Sequence, residues 1–235
     1  MEEIGNAFLI AFNLLFSAND ELLEIVLLSL KVSLIAVSVS CVIGFFVGAA
    51  LSVYKFPGHR AVVVVINALM GLPPVVVGLV VYLMLSRSGP LGILGLLYTP
   101  TAMIIAQVLL ITPLVAALCL QVLEELNHEY DEFFRSLRLT PVAKIKTLLW
   151  EGRYGLITVG LAGFGRAISE VGAVMIVGGN INHVTRIMTT AIALETSKGT
   201  LALALALGII LIGFSVCVNA GVMLLKSSSR SQTYA

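Results

Sequence analysis

Five apolar runs dominate the chain, at residues 32–53, 61–85, 101–123, 156–177 and 201–225. A helix needs about 20 such residues to cross about 30 Å of hydrocarbon. Four of the runs carry no charge, and the fourth holds only Arg166 and Glu170. The pattern predicts an all-α membrane protein with about five transmembrane helices, forming one transmembrane domain over residues 1–235. Residues 4–16 are apolar but too short to span, which fits a segment lying along the interface or packed on the bundle.

Lys and Arg are enriched in cytoplasmic loops. Lys55, Arg60, Arg135, Arg138, Lys144, Lys146, Arg153, Lys226 and Arg230 fall on one side of a five-span chain. Arg87, Arg186 and Lys198 fall on the other, with Lys31 at the edge of the first span. The asymmetry predicts the N-terminus outside and the C-terminus inside.

The inner loop 124–153 is far longer than ordinary connections, and its composition is that of folded chain. Asn127 is placed to cap a helix bearing Phe133, Phe134 and Leu137. Thr140-Pro141 reads as a second helix start, the Thr as N-cap and the Pro at the first helical position. Val142, Ile145, Leu148 and Leu149 recur behind it at helical spacing. Two short amphipathic helices of this kind suit either a soluble partner protein or the membrane surface, and the partner is the preferred reading.

Composition agrees with a lipid environment. The chain is 59% hydrophobic and 11% charged, where soluble domains carry about 25% charged residues. A net charge of +1 with no basic stripe predicts no nucleic-acid partner. Met1-Glu2-Glu3 lacks the positive start of a cleaved signal peptide. Cys41, Cys119 and Cys217 each sit inside an apolar run and read as small buried hydrophobes. His59, His128 and His183 have no ligand spacing, so neither a metal nor another cofactor is predicted.

Several residues stand out at membrane depth. Pro73 and Pro74, after Gly71-Leu72, remove two backbone donors and predict a kink, serving either packing or the transport pathway. Gly44 and Gly48 form a GxxxG step suited to helix packing. Arg166 and Glu170 are four apart and share a helix face, with Ser169 beside them. They read either as a structural ion pair or as a positive field for an anion that Glu170 orients. Gly178-Gly179-Asn180 is a helix stop. Residues 184–197 then look helical, either as a gate or on the surface, and Arg87, Arg186 and Lys198 lie on that side.

Asp131-Glu132-Phe133-Phe134-Arg135-Ser136-Leu137, followed by a turn, resembles the cytoplasmic coupling loop of ATP-binding-cassette import permeases. That loop reads Glu, two small residues, three variable ones, then Gly. Glu132 matches the Glu, whereas Phe133 and Phe134 replace the small residues and Arg138 the Gly. Gly163-Phe-Gly-Arg-Ala-Ile-Ser-Glu-Val-Gly-Ala-Val-Met-Ile-Val-Gly-Gly-Asn180 resembles permeases for molybdate, sulfate and tungstate. Met70-Gly-Leu-Pro-Pro-Val-Val-Val-Gly78, Ser86-Arg-Ser-Gly-Pro-Leu-Gly92 and Thr189-Thr-Ala-Ile-Ala-Leu-Glu-Thr196 are similar to the tungstate subfamily. The resemblance covers about residues 22–225. It implies a permease subunit in a prokaryotic inner membrane, paired with a second copy of itself. It also implies a separate ATPase subunit and an extracytoplasmic oxyanion-binding protein as partners. The ATPase would be met by Glu132, Phe133, Phe134, Arg135, Leu137 and Arg138.

A membrane-embedded enzyme would need a nucleophile with its base, or clustered acids. Only Glu170 and Glu195 approach membrane depth, so no catalytic residues are predicted. A stand-alone secondary transporter is a further alternative, but such chains usually show internal repeats and more spans. No GxxxxGK[ST] occurs, so ATP would bind a partner.

Overall fold

The computed structural model describes residues 20–233, and the segment 4–16 lies outside them. The helices are α1 (Asp20–Val53), α2 (His59–Met70), α3 (Pro74–Leu85), α4 (Pro100–Glu129), α5 (Asp131–Ser136), α6 (Pro141–Glu151), α7 (Arg153–Ile168), α8 (Gly172–Gly178), α9 (Met188–Lys198) and α10 (Leu201–Thr233), with a 3₁₀ turn at Gly92–Leu94. No strand occurs among the described residues. Among the described residues, three helices are long and apolar enough to cross a membrane, or up to five spans result if each interrupted pair, α2 with α3 and α7 with α8, counts as one.

Three boundaries differ from the sequence expectation. The first span begins at Asp20 and not at residue 32, because a single flanking Lys31 on an exposed face does not end a helix. Asp20 and Glu21 in its first turn suit the positive end of the helix dipole. In the second span the expected kink is a full break. Gly71 closes α2 by donating to Ala68, and Pro73 is extended (φ −63°, ψ 123°) with Pro74 opening α3. The residue before a proline avoids helical backbone, and here two such positions follow one another. The fourth span breaks between Ile168 and Gly172, where α7 and α8 are bent by 57°.

The chain divides into two compact units. One comprises Met1–Ala36, Pro73–Gln107 and Gly165–Val218, the other Val37–Leu72, Val108–Phe164 and Asn219–Ala235. In the first unit α3 lies against α8 at Cβ-free positions. A Cβ on Gly78 would stand 2.8 Å from Ala173 Cα, and one on Gly172 would stand 3.0 Å from Val75 Cγ2.

In the second unit the GxxxG step does the same for α1 and α4. A Cβ at Gly44 would lie 2.7 Å from Val115 Cγ1, and one at Gly48 would lie 2.7 Å from the Ala116 carbonyl oxygen. Ala49, Cys119, Leu123, Phe134, Leu148 and Leu156 form the core beneath the inner loop. The cysteine expectation holds for Cys119 but not for Cys217, which is exposed, while Cys41 is half-buried. Helical periodicity in an apolar run does not say which side faces the protein, and Cys217 lies on the outer side.

The inner loop needs two corrections. Asn127 does not cap a helix; α4 runs through it to Glu129, and its Nδ2 donates to the Ser52 carbonyl. Phe134 is not part of an exposed ridge. It is 1% exposed in the core, whereas Phe133 and Leu137 are 55% and 53% exposed. Thr140 caps α6 as expected, its hydroxyl accepting from Ala143 N–H at 3.3 Å.

The chain leaves α5 through a Schellman turn: Leu139 N–H donates to Phe134 and Arg138 N–H to Arg135. That turn demands a left-handed residue, and Arg138 supplies it with φ +50°. The position where similar loops carry Gly therefore keeps a glycine's geometry while paying for a Cβ.

Two substitutions and one control test these features. Gly48→Ala is expected to lower the melting temperature in detergent, since overpacking against fixed backbone costs about 1–3 kcal/mol. Gly165→Ala, with nothing within 4 Å of the added carbon, serves as the control and should not. Arg138→Gly is expected to raise the melting temperature by relieving about 1 kcal/mol of left-handed strain. An unchanged or lower value would mean that Arg138 makes a compensating contact.

Candidate translocation and docking sites

The break between α7 and α8 gathers most of the polar chemistry of the first unit. Losing helix at Ser169–Val171 frees backbone groups in a region where water is scarce, and side chains take them up. Gln107 Nε2, from the middle of α4, donates to the Ala167 carbonyl at 3.0 Å. Thr189, from the first turn of α9, donates to the Glu170 carbonyl at 2.7 Å. The Glu170 carboxylate turns inward and accepts from Ala173 N–H at 3.1 Å, closing the start of α8. Ser169 donates to the Gly165 and Arg166 carbonyls and so makes no contact with the acid.

Arg166 and Glu170 do meet, but loosely. Nη2 to Oε2 is 3.9 Å, the Arg side chain is 45% exposed and the Glu side chain 6%. The acid thus serves the backbone first, and the guanidinium keeps most of its donors outward. Pro73 lies at the other break, outside this cluster, and Pro74 opens α3, which carries Val75 to Gly172. Gln107 and Thr189 were missed from sequence. A lone Gln in a charge-free run was the available signal for the first.

After α8, Gly179 (φ 70°) and Asn180 (φ 51°) stop the helix as expected. The next helix starts at Met188, not at residue 184, because Thr185 ties residues 178–185 into a turn through Gly178 O and Ile181 N–H. Its start is docked on α1, where Ser29 accepts from Met188 N–H at 2.8 Å. Arg186 lies 3.6 Å from Glu21, and His183 pairs with Glu24 at 2.6 Å. Lys198 pairs with Glu195 at 2.9 Å, and the Thr200 hydroxyl and that ammonium together hold the Glu195 carboxyl below its ordinary range. Of the outer cations named from sequence, Arg87 and Lys31 are exposed and outside these pairs.

In the second unit the docking candidates form an exposed patch on α5 and its exit turn. Glu132, Phe133, Arg135, Leu137 and Arg138 face outward, with Arg135 paired to Asp131 at 2.7 Å, while Phe134 anchors them from below. Lys144 of α6 lies 5.5 Å over the Phe134 ring. A groove of about 270 Å³ opens between α2 and α4, with Asn67, Gln121 and Glu124 among its lining residues. Glu124 is neutralised there by Lys55 at 2.8 Å.

The geometry at the break makes an asymmetric prediction. Glu170→Ala strands both the α8 start and the guanidinium, so it should cost more melting temperature than Arg166→Ala. The double variant should be less harmed than additivity of the single losses. Additive losses would show that the 3.9 Å approach carries no energy.

The family model described as binding-protein-dependent transport system inner membrane component matches residues 40–230. The tungstate uptake system permease protein of Campylobacter jejuni is 37% identical over 219 residues, covering 93% of this chain and 92% of its own. The tungstate uptake system permease protein of Peptoclostridium acidaminophilum is 40% identical, covering 94% and 96%. A probable anion ABC transporter permease protein of Haloferax volcanii is 42% identical, covering 85% and 88%. Helices of membrane-crossing length and a family match spanning both interrupted pairs agree: this chain is a multi-pass membrane protein of the binding-protein-dependent transport system inner membrane component family.

Proposed function

We propose that two copies of this chain form the membrane path of an ATP-driven importer for a tetrahedral oxyanion, with tungstate as the first substrate. The observation that carries the reading is the naming of the full-length relatives: two at 37% and 40% identity for tungstate uptake, and one at 42% for an anion. A sulfate permease of Synechocystis matches more weakly, at 30% over 66% of this chain. Sulfate, with molybdate, is therefore the second reading.

A dianion at membrane depth needs a positive partner that is not spent elsewhere. Arg166 meets that need, being half-exposed and loosely held by Glu170. The enclosing charges support an orientation with the N-terminus outside and α5–α6 on the cytoplasmic face. The patch of Glu132, Phe133, Arg135, Leu137 and Arg138 then meets a separate ATPase subunit, with Phe134 fixing its shape from inside. The opposite face, with Arg87, receives an extracytoplasmic binding protein. ATP hydrolysis falls to the separate ATPase subunit.

The test is uptake into proteoliposomes holding this chain, its ATPase and its binding protein. ATP-dependent tungstate uptake is expected to exceed sulfate uptake at equal concentration. Arg166→Gln should lower it roughly ten- to hundredfold, the worth of one charge-assisted hydrogen bond. Leu137→Asp should leave the chain inserted but lose co-purification with the ATPase. Preference for sulfate would reassign the substrate, full uptake by Arg166→Gln would remove it from the path, and a retained complex would remove the patch from docking.

A further inference from the structure

One exposed stripe in the second unit is used by none of the sites above. Val142, Lys146, Trp150, Arg153 and Ile157 follow one another at steps of four, four, three and four residues. Gly152 separates α6 from α7, its N–H donating to the Leu148 carbonyl and its own carbonyl accepting from Leu156 N–H. Val142, Lys146 and Trp150 share one face of α6 and Arg153 and Ile157 one face of α7, Arg153 joining the two through the Trp150 ring, while Leu148 and Leu156 are buried in the core.

The stripe has a definite chemical order. Val142 is 58% exposed, Trp150 67% and Ile157 45%. Lys146 is exposed, and the Arg153 guanidinium lies between two rings, 5.0 Å from Trp150 and 4.8 Å from Tyr154. Arg153 Nη1 also donates to the Trp150 carbonyl at 2.7 Å, so the cation is held in place. Glu151 is exposed on the neighbouring flank, one residue from Trp150.

Ile157 lies in the first turns of a helix that forms half of a candidate span. Trp150 is seven residues earlier, or about 10 Å at 1.5 Å per residue. That distance is an upper bound, reached by an upright helix, and the headgroup layer extends about 5–8 Å beyond the hydrocarbon edge, so Trp150 falls at or near its outer limit. An amphipathic ring with fixed cations at that level matches the interfacial belt and the anionic surface of a cytoplasmic leaflet. A soluble partner would have to cover Trp150 while leaving Ile157, on the same stripe, to lipid.

We propose that this stripe seats on the bilayer surface and that Lys146 and Arg153 bind the phosphates of anionic phospholipid headgroups, anchoring α6 to the membrane. The inference rests on the proposed function only for which leaflet is met.

The chain contains a single Trp, so its own fluorescence reports the site. The full chain is placed in lipid nanodiscs whose acyl chains are brominated near the headgroup, with phosphatidylglycerol titrated into phosphatidylcholine. Emission is expected to be quenched to less than half, with quenching rising as the anionic fraction rises. The rise should vanish in the Lys146→Gln, Arg153→Gln double variant and in high salt, and millimolar inorganic phosphate should leave emission unchanged. Unquenched emission, equal quenching in both lipids, or displacement by free phosphate each overturns the proposal, as does quenching relieved by adding the ATPase subunit. The wild-type lipid titration decides it even if the double variant fails to insert. No transport is read, so substrate assignment and lipid site fail separately.

Discussion

A backbone carbonyl or amide left unpaired in hydrocarbon costs several kcal/mol, and this chain interrupts two of its apolar runs. The break at Ile168–Gly172 holds because three side chains from separate elements replace the lost helix bonds: Gln107 for Ala167, Thr189 for Glu170, and the Glu170 carboxylate for Ala173. Much of the site follows from that need. A buried acid is present because α8 needs an acceptor at its start, and an arginine four residues earlier moderates the acid. The first turn of α9 must lie within reach of residue 170, which is why its start is itself fastened to Ser29.

Lipid also inverts the usual relation of inside to outside. The described residues expose Phe46, Val42, Ile93 and Leu27 while burying Ser29, Ser33, Ser40, Gln107 and Thr190. Apolar burial cannot drive these helices together when the alternative is hydrocarbon. Close approach and hydrogen bonding take over. The glycines at 44, 48, 78 and 172 therefore sit where a Cβ would collide with the facing helix, and the small buried hydroxyls occupy similar places.

The spans were legible because composition alone reports them, and the caps at Thr140-Pro141 and Gly179-Asn180 were legible because each is a local bond pattern. What failed was whatever depends on a partner distant in sequence. Asn127 has the identity of a cap, but its amide is claimed by Ser52. Phe133 and Phe134 are chemically equal, and only the fold puts one outside and the other within. Two adjacent prolines signal distortion without saying whether the helix bends or stops. Conversely, Arg138 departs from the Gly of similar loops, yet the backbone bonds from Leu139 and Arg138 together hold an arginine at φ +50°.

The ion pairs sort by how completely each cation is used. Lys55, Arg135 and Lys198 each approach an acid at 2.7–2.9 Å. The two loose pairs both involve arginines of the first unit, Arg186 at 3.6 Å and Arg166 at 3.9 Å. The Arg186 side chain is 13% exposed, and its Nε is buried without a hydrogen-bond partner. A guanidinium has five donors in a rigid fork, matched to the paired oxygens of a tetrahedral anion, and its charge does not titrate away on burial. Lysine in the same places would form a compact point charge and close on the nearest carboxylate, as Lys55 and Lys198 do. Among the described ion pairs, the two cations with capacity left over are thus arginines, and Arg166 is the one beside an interrupted span.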